Sequence, residues 1–205
     1  MSDQGSHQGS SRLVATVLAF AFLLAAPAHA DPTVEAIWRS QQLPFNYHST
    51  RTAYSCSGLQ ERIRAILQAV GAHESVAVEV QCLGGELLNS ARASIAVATP
   101  IEATDENILA ATRFKPYELM AARLRGVALP TATNIERFAA SWRRVSLSRL
   151  QLEMRDCDLL DGLRGQVFPR LRIRNTSGFG CSSTATRMRP APKVEALIHA
   201  ARAIT

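Results

Sequence analysis

The sequence predicts an α+β fold: two related units, each running strand, cysteine, helix, strand, cysteine, that together form a mixed sheet packed by helices. Three observations carry this expectation. Apolar residues alternate singly in several short runs, which is the period of a half-buried strand. Two other segments repeat them at helical spacing. The four cysteines fall into two pairs, 26 and 24 positions apart, at matching places in the two patterns.

The elements follow an export signal. Leu13 to Ala26 reads LVATVLAFAFLLAA, with Arg12 before it and Pro27, Ala28-His29-Ala30 after it. A basic residue, an apolar core, a helix breaker and small residues at the cleavage-reading positions mark residues 1–30 as a signal peptide cut after Ala30. A spanning helix needs about 20 apolar residues, so this run is too short to be one. No later stretch is apolar enough either. The mature chain, from Asp31, is therefore expected in the periplasm or secreted, without a transmembrane segment.

The first unit covers 31–128. Phe45 to Tyr54 is an extended, aromatic-bearing stretch that leads to Cys56. Ser57 and Gln60 have capping-box spacing, and Leu59, Ile63, Ile66, Leu67 and Val70 then share one helical face. Gly71 suits a left-handed helix stop. In VAVEVQC, Val76, Val78, Val80 and Cys82 share one parity, which predicts a strand with Cys82 toward the buried side. Residues 92–100, RASIAVATP, form a further strand. Thr104 to Phe114 is a short helix with Asp105 and Glu106 at its positive end. Pro116 to Arg125 is another, closed by Gly126, and LPTATN at 129–134 connects the units.

The second unit covers 129–205. Val145 and Leu147 mark a strand-like run. Cys157 precedes a helix carrying Leu159, Leu160, Leu163, Val167 and Phe168, ended by Pro169. In RLRIRN, Leu171 and Ile173 alternate with Arg170, Arg172 and Arg174, the pattern of a strand with one basic face. Cys181 follows a glycine-bearing loop, 182–191 is loop, and Pro192 opens a C-terminal helix with Val194, Leu197, Ile198 and Ala201 on one side.

Four cysteines allow three pairings. If strand–helix–strand is a parallel crossover, both strands end at the same edge of the sheet. That brings Cys56 to Cys82 and Cys157 to Cys181. Each bridge closes a loop of about 25 residues, worth roughly 3–4 kcal/mol in the loop-entropy account. Order and spacing, rather than identity, suggest an internal duplication.

With these residues in view, YSCSGLQERIRAILQAVGA, DCDLLDGLRGQVFPRL and the trailing Cys181 resemble a group of uncharacterised exported proteins of proteobacteria. The resemblance spans most of the mature chain. Its motifs are structural, cysteines and helix faces, and it carries no activity and no functional residue to this chain.

Charge is divided unevenly. Residues 31–112 carry a net −4 and residues 113–205 a net +10, within a total of +6. Such polarity suits an anionic partner for the second half. Motifs for chemistry are missing. There is no C-x₂-C pair, and His48, His73 and His199 lack ligand spacing, so no metal and no cofactor is expected. There is no C-x-x-C redox pair and no G-x-S-x-G elbow. Ser177, Ser182 and Ser183 read as loop polar residues and Glu79 as an exposed strand residue. Nucleic acid is not expected as a partner, because the aromatics of the second half, Tyr117, Phe138, Trp142, Phe168 and Phe179, mostly fit core positions.

Two readings stand. One is a non-catalytic binding or assembly module whose basic face, Arg170, Arg172 and Arg174, meets an anionic envelope component or an acidic protein. The other is a hydrolase-like enzyme whose site is assembled from scattered residues, with His48 as its candidate base.

Overall fold

A computed structural model describes residues 32–82, 87–179 and 190–201. The predicted signal peptide and its cleavage point lie outside these residues, as do Cys181, Ser182 and Ser183. Along the chain run β1 (Thr33–His48), α1 (Cys56–Ala69), β2 (Ala77–Gln81), β3 (Ser90–Glu102), α2 (Asp105–Ala111), α3 (Pro116–Arg125), β4 (Arg137–Ser146), α4 (Cys157–Gln166), β5 (Arg174–Ser177) and β6 (Lys193–His199). The α+β class is as the sequence predicts.

The strands form one sheet in the order β2-β3-β1-β4-β6-β5, and every neighbouring pair is antiparallel. β1 and β2 both run against β3, which lies between them. They are therefore parallel to each other, as a crossover requires, but never touch. β4 and β5 are related through β6 in the same way. Each half runs strand, helix, strand, strand, with its last strand in the middle. The halves join where Thr33–Ile37 pairs with Arg137–Ser141.

One face of this sheet builds the core. Leu43, Phe45 and Tyr47 of β1 point to the same side as Ala93 and Ile95 of β3, and Phe45 lies opposite Ala93. Large against small leaves room for the helices. Leu59, Ile63, Ile66 and Leu67 of α1 and Leu159, Leu160 and Leu163 of α4 are completely buried on this side. The same cluster includes Val194, Ala196 and Ile198 of β6, so both halves share it.

Three local expectations are corrected. The chain after Pro192 is strand β6, not a helix. β6 lies between β4 and β5 and is buried on both faces, with Leu197 joining Ala36 and Ala140 on the side away from the helices. Burial on both faces erases alternation and imitates a helical run. Second, α1 begins at Cys56 rather than after it. Its cap is Ser55, whose hydroxyl accepts from the Gly58 N–H at 3.1 Å. Gln60 instead donates to the Val78 carbonyl at 2.9 Å, tying helix to strand.

Third, Arg170 to Arg174 is not one alternating strand. Arg170 and Arg172 lie in a turn, and β5 starts only at Arg174. The Ile173 N–H bonds the Phe168 carbonyl and the Arg172 N–H bonds that of Pro169, while Arg172 takes φ 57°. This is the left-handed stop of a helical turn. α1 stops the same way: Ala72 N–H to Leu67 carbonyl, Gly71 N–H to Gln68 carbonyl, Gly71 at φ 98°. The predicted glycine stop is present, and its counterpart in the second half is an arginine.

Beyond Ile37 no strand among the described residues pairs with the edge of β1 away from β3. There Gln166 of α4 accepts from the Asn46 N–H and donates to the Asn46 carbonyl, both at 2.9 Å. Pro44, two residues earlier on the same edge, has no N–H to offer.

Candidate functional site

The predicted residues fall in different places. Cys56 and Cys82 form a disulfide with Cα atoms 6.2 Å apart. Cys56 is the first residue of α1, and Cys82 lies one residue past the end of β2. Cys82 is exposed, not on the buried face of a strand as predicted, because it lies past the end of β2. Cys157 occupies the matching position as first residue of α4. It is fully buried and disulfide-bonded. Its predicted partner, Cys181, lies outside the described residues.

Arg170, Arg172 and Arg174 are all exposed. Arg174 is held: its guanidinium stacks over the Trp142 ring at 3.9 Å. The backbone of Arg170 accepts a long bond from Gln41. The acids one helix away do not answer these charges. Asp156 is fully buried and accepts from Tyr54, from Arg62 at 3.2 Å and from the Glu153 N–H at 2.7 Å. Asp158 accepts from Ser49 at 2.6 Å, and Asp161 pairs with Arg164 at 3.2 Å. Among the described residues, none of the three arginines makes an ion pair.

The acid contacts are instead a joint between halves. Tyr54 and Arg62 come from the first and Asp156 from the second. Burial, then the Asp156 hydrogen bond and charge, raise the Tyr54 pKa well above its ordinary range. Arg62 also donates to the Leu150 carbonyl at 2.9 Å, so the buried charge is paired and bonded on several sides.

His48 stands exposed at the last position of β1, on the side opposite Phe45 and Tyr47. Glu79 is exposed on β2, as read from sequence, whereas Ser177, read as a loop residue, is the exposed last residue of β5.

Sequence spacing missed a second histidine arrangement. His73, in the turn after α1, and His199, at the end of β6, both lie against Trp38. The first meets the indole edge-on at 5.0 Å, and the second stacks on it at 6.0 Å. Phe138 packs beside them at 4.8 Å from Trp38. Trp38, His73 and His199, with Glu74, Glu136 and Ala201, line a hollow of about 360 Å³. The Nδ1 of His73 accepts from the Ser75 N–H at 3.2 Å, and that of His199 from the Ala201 N–H at 3.1 Å. In its neutral form a ring bonded in this way carries its proton on Nε2 and can donate from it. Among the described residues no three His, Cys, Asp or Glu side chains are placed to hold a metal. Only tertiary structure unites the pair, because His73 lies in the turn after α1 and His199 ends β6, far apart in sequence.

Comparison with protein-family models, with curated proteins and with solved structures gives no match. Function therefore rests on the side chains themselves.

The segment between β3 and β4 completes the surface. Thr104 caps α2 and accepts from the Asn107 N–H at 3.3 Å, with Asp105 and Glu106 in the first turn as expected. α3 has Pro116 at its start and Gly126 at φ 64° as its stop, and no residue of it is buried. A groove of about 880 Å³ runs between this segment and β1, with Arg39, Arg113, Lys115 and Glu118 among its walls. No helix among the described residues is long and apolar enough to cross a membrane.

Proposed function

We propose that this chain is an exported, disulfide-stabilised envelope protein that works as a non-catalytic binding or assembly module, with the second half holding an anionic partner. The supporting observation is that Arg170 and Arg172 are exposed while Asp156, Asp158 and Asp161 are committed to other partners. Unanswered guanidiniums are ready donors for charge-assisted bonds to carboxylates or phosphates. The export signal and the two bridges, Cys56–Cys82 and Cys157–Cys181, belong to the same proposal, as does a common origin of the two halves. The hydrolase reading draws no support from His48, which is exposed at the end of β1 on the side opposite Phe45 and Tyr47.

The test uses Arg170→Ser with Arg172→Gly. Arg174 is left alone because it packs on Trp142. Glycine at 172 removes the charge and suits the left-handed backbone there. Thermal stability should hold within about 0.5 kcal/mol or rise slightly. Retention on anionic lipid or cell-wall material should drop, and retention of the unaltered chain should fall with added salt. Unchanged, salt-insensitive retention would reject the proposal.

A further inference from the structure

Eight large apolar side chains are exposed among the described residues, and six of them lie between Leu109 and Val127. Monomeric proteins rarely gather so much exposed apolar surface in one place without a use for it. On α3, Tyr117, Met120 and Leu124 recur at helical spacing on one stripe, 63 %, 58 % and 80 % exposed. Cations bracket the stripe. Arg113 and Lys115 precede the helix, Arg123 and Arg125 close it, and all four are exposed. The single acid between Arg113 and Val127, Glu118, is tied to the helix start through the Lys115 N–H at 2.6 Å.

We infer that α3 is an interfacial helix that lies flat on an anionic lipid bilayer. Its apolar stripe enters the acyl boundary while the flanking cations meet lipid phosphates. Ten residues make about 15 Å of helix, enough to lie on a membrane and far too little to cross one. The charge speaks against a second copy as occupant, since a two-fold contact would set four cations against four. The inference names a bilayer as the source of the anionic chemistry proposed above and so rests on that reading, but it uses different residues.

The experiment compares the full chain with its Tyr117→Ser/Met120→Ser/Leu124→Ser variant. Thermal unfolding should be the same for both, because none of the three side chains is buried. Both are tested on phosphatidylcholine vesicles with and without phosphatidylglycerol, and on phosphocellulose, which has the charge but no apolar interior. The expected result is binding of the unaltered chain to the phosphatidylglycerol vesicles only, weakened by about tenfold or more in the variant. Retention on phosphocellulose should be equal for both. Equal vesicle binding by chain and variant would overturn the inference. Retention on phosphocellulose without vesicle binding would overturn the bilayer alone and leave the anionic reading standing. Binding to neither would remove both. A dimer that the triple variant turns into monomers, seen by light scattering, would assign the face to a second copy and overturn the inference too.

Discussion

Two residues show how far single side chains decide this fold. Arg172 occupies a left-handed position that favours glycine, at a cost of about 1 kcal/mol. Its alternation with Arg170 and Arg174 was legible as pattern and misleading as structure. Leu171 is buried between exposed arginines, as in a strand, but a helix-stop turn produces the same in-and-out sequence. Tyr54 gives a test by pH. Its pKa is raised in the folded state, mainly by burial. The stability carried by the neutral phenol is therefore complete below the unfolded value of about 10 and is lost as pH rises above it. Tyr54→Phe should cost about 1–3 kcal/mol at neutral pH, because Asp156 loses a buried donor. Denaturant titrations from pH 8 to pH 11 should show the gap between the two proteins closing above about pH 10, by up to about 1.4 kcal/mol per pH unit. A gap that stays constant to the alkaline end would show that Tyr54 does not titrate as described.

At the scale of elements, the legible ones were those with their own punctuation. α3 has proline at its start and glycine at its end. β3 alternates small apolar residues over most of its length, and α1 has a clean apolar face. β6 lacked such marks because neighbours bury both of its faces, so Val194, Ala196, Leu197 and Ile198 are all buried and carry no clean period of two. The histidine pair on Trp38 was invisible for a related reason: His73 lies in a turn and His199 at the end of β6, and only the closing of the sheet brings them together. Gly71 tests the helix stop directly. A Cβ there would meet Ile198 Cδ1 at 2.6 Å and the Leu197 carbonyl at 3.1 Å, at a φ that disfavours any side chain. Gly71→Ala should therefore lose about 1–3 kcal/mol in a denaturant titration. A neutral result would mean that β6 can retreat from α1 without loss.

For the molecule as a whole, the division of charge and the division of structure do not coincide. Net charge separates near residue 112, yet the main core takes side chains from β1, β3, α1, α4 and β6 alike. The joint of Tyr54, Arg62 and Asp156 crosses between the halves and is buried at its centre. The two halves share one main core. Calorimetry should accordingly give one transition, with van't Hoff and calorimetric enthalpies equal. Two resolved transitions would show that the halves hold together independently.

The carboxamide of Gln166 has a consequence beyond the single chain. The Asn46 N–H and carbonyl point along a border of β1 where no strand among the described residues pairs, the kind of template on which foreign strands add. Gln166 fills both with one side chain and so imitates the neighbour that β1 lacks, while Pro44 blanks the next position on the same border. Such a plug guards against polymerisation more than it adds to stability. Gln166→Ala should unfold at nearly the same temperature yet form thioflavin-positive aggregates sooner on quiescent storage, in a concentration-dependent way. If the variant aggregates no faster than the parent, the border is already shielded by the body of α4.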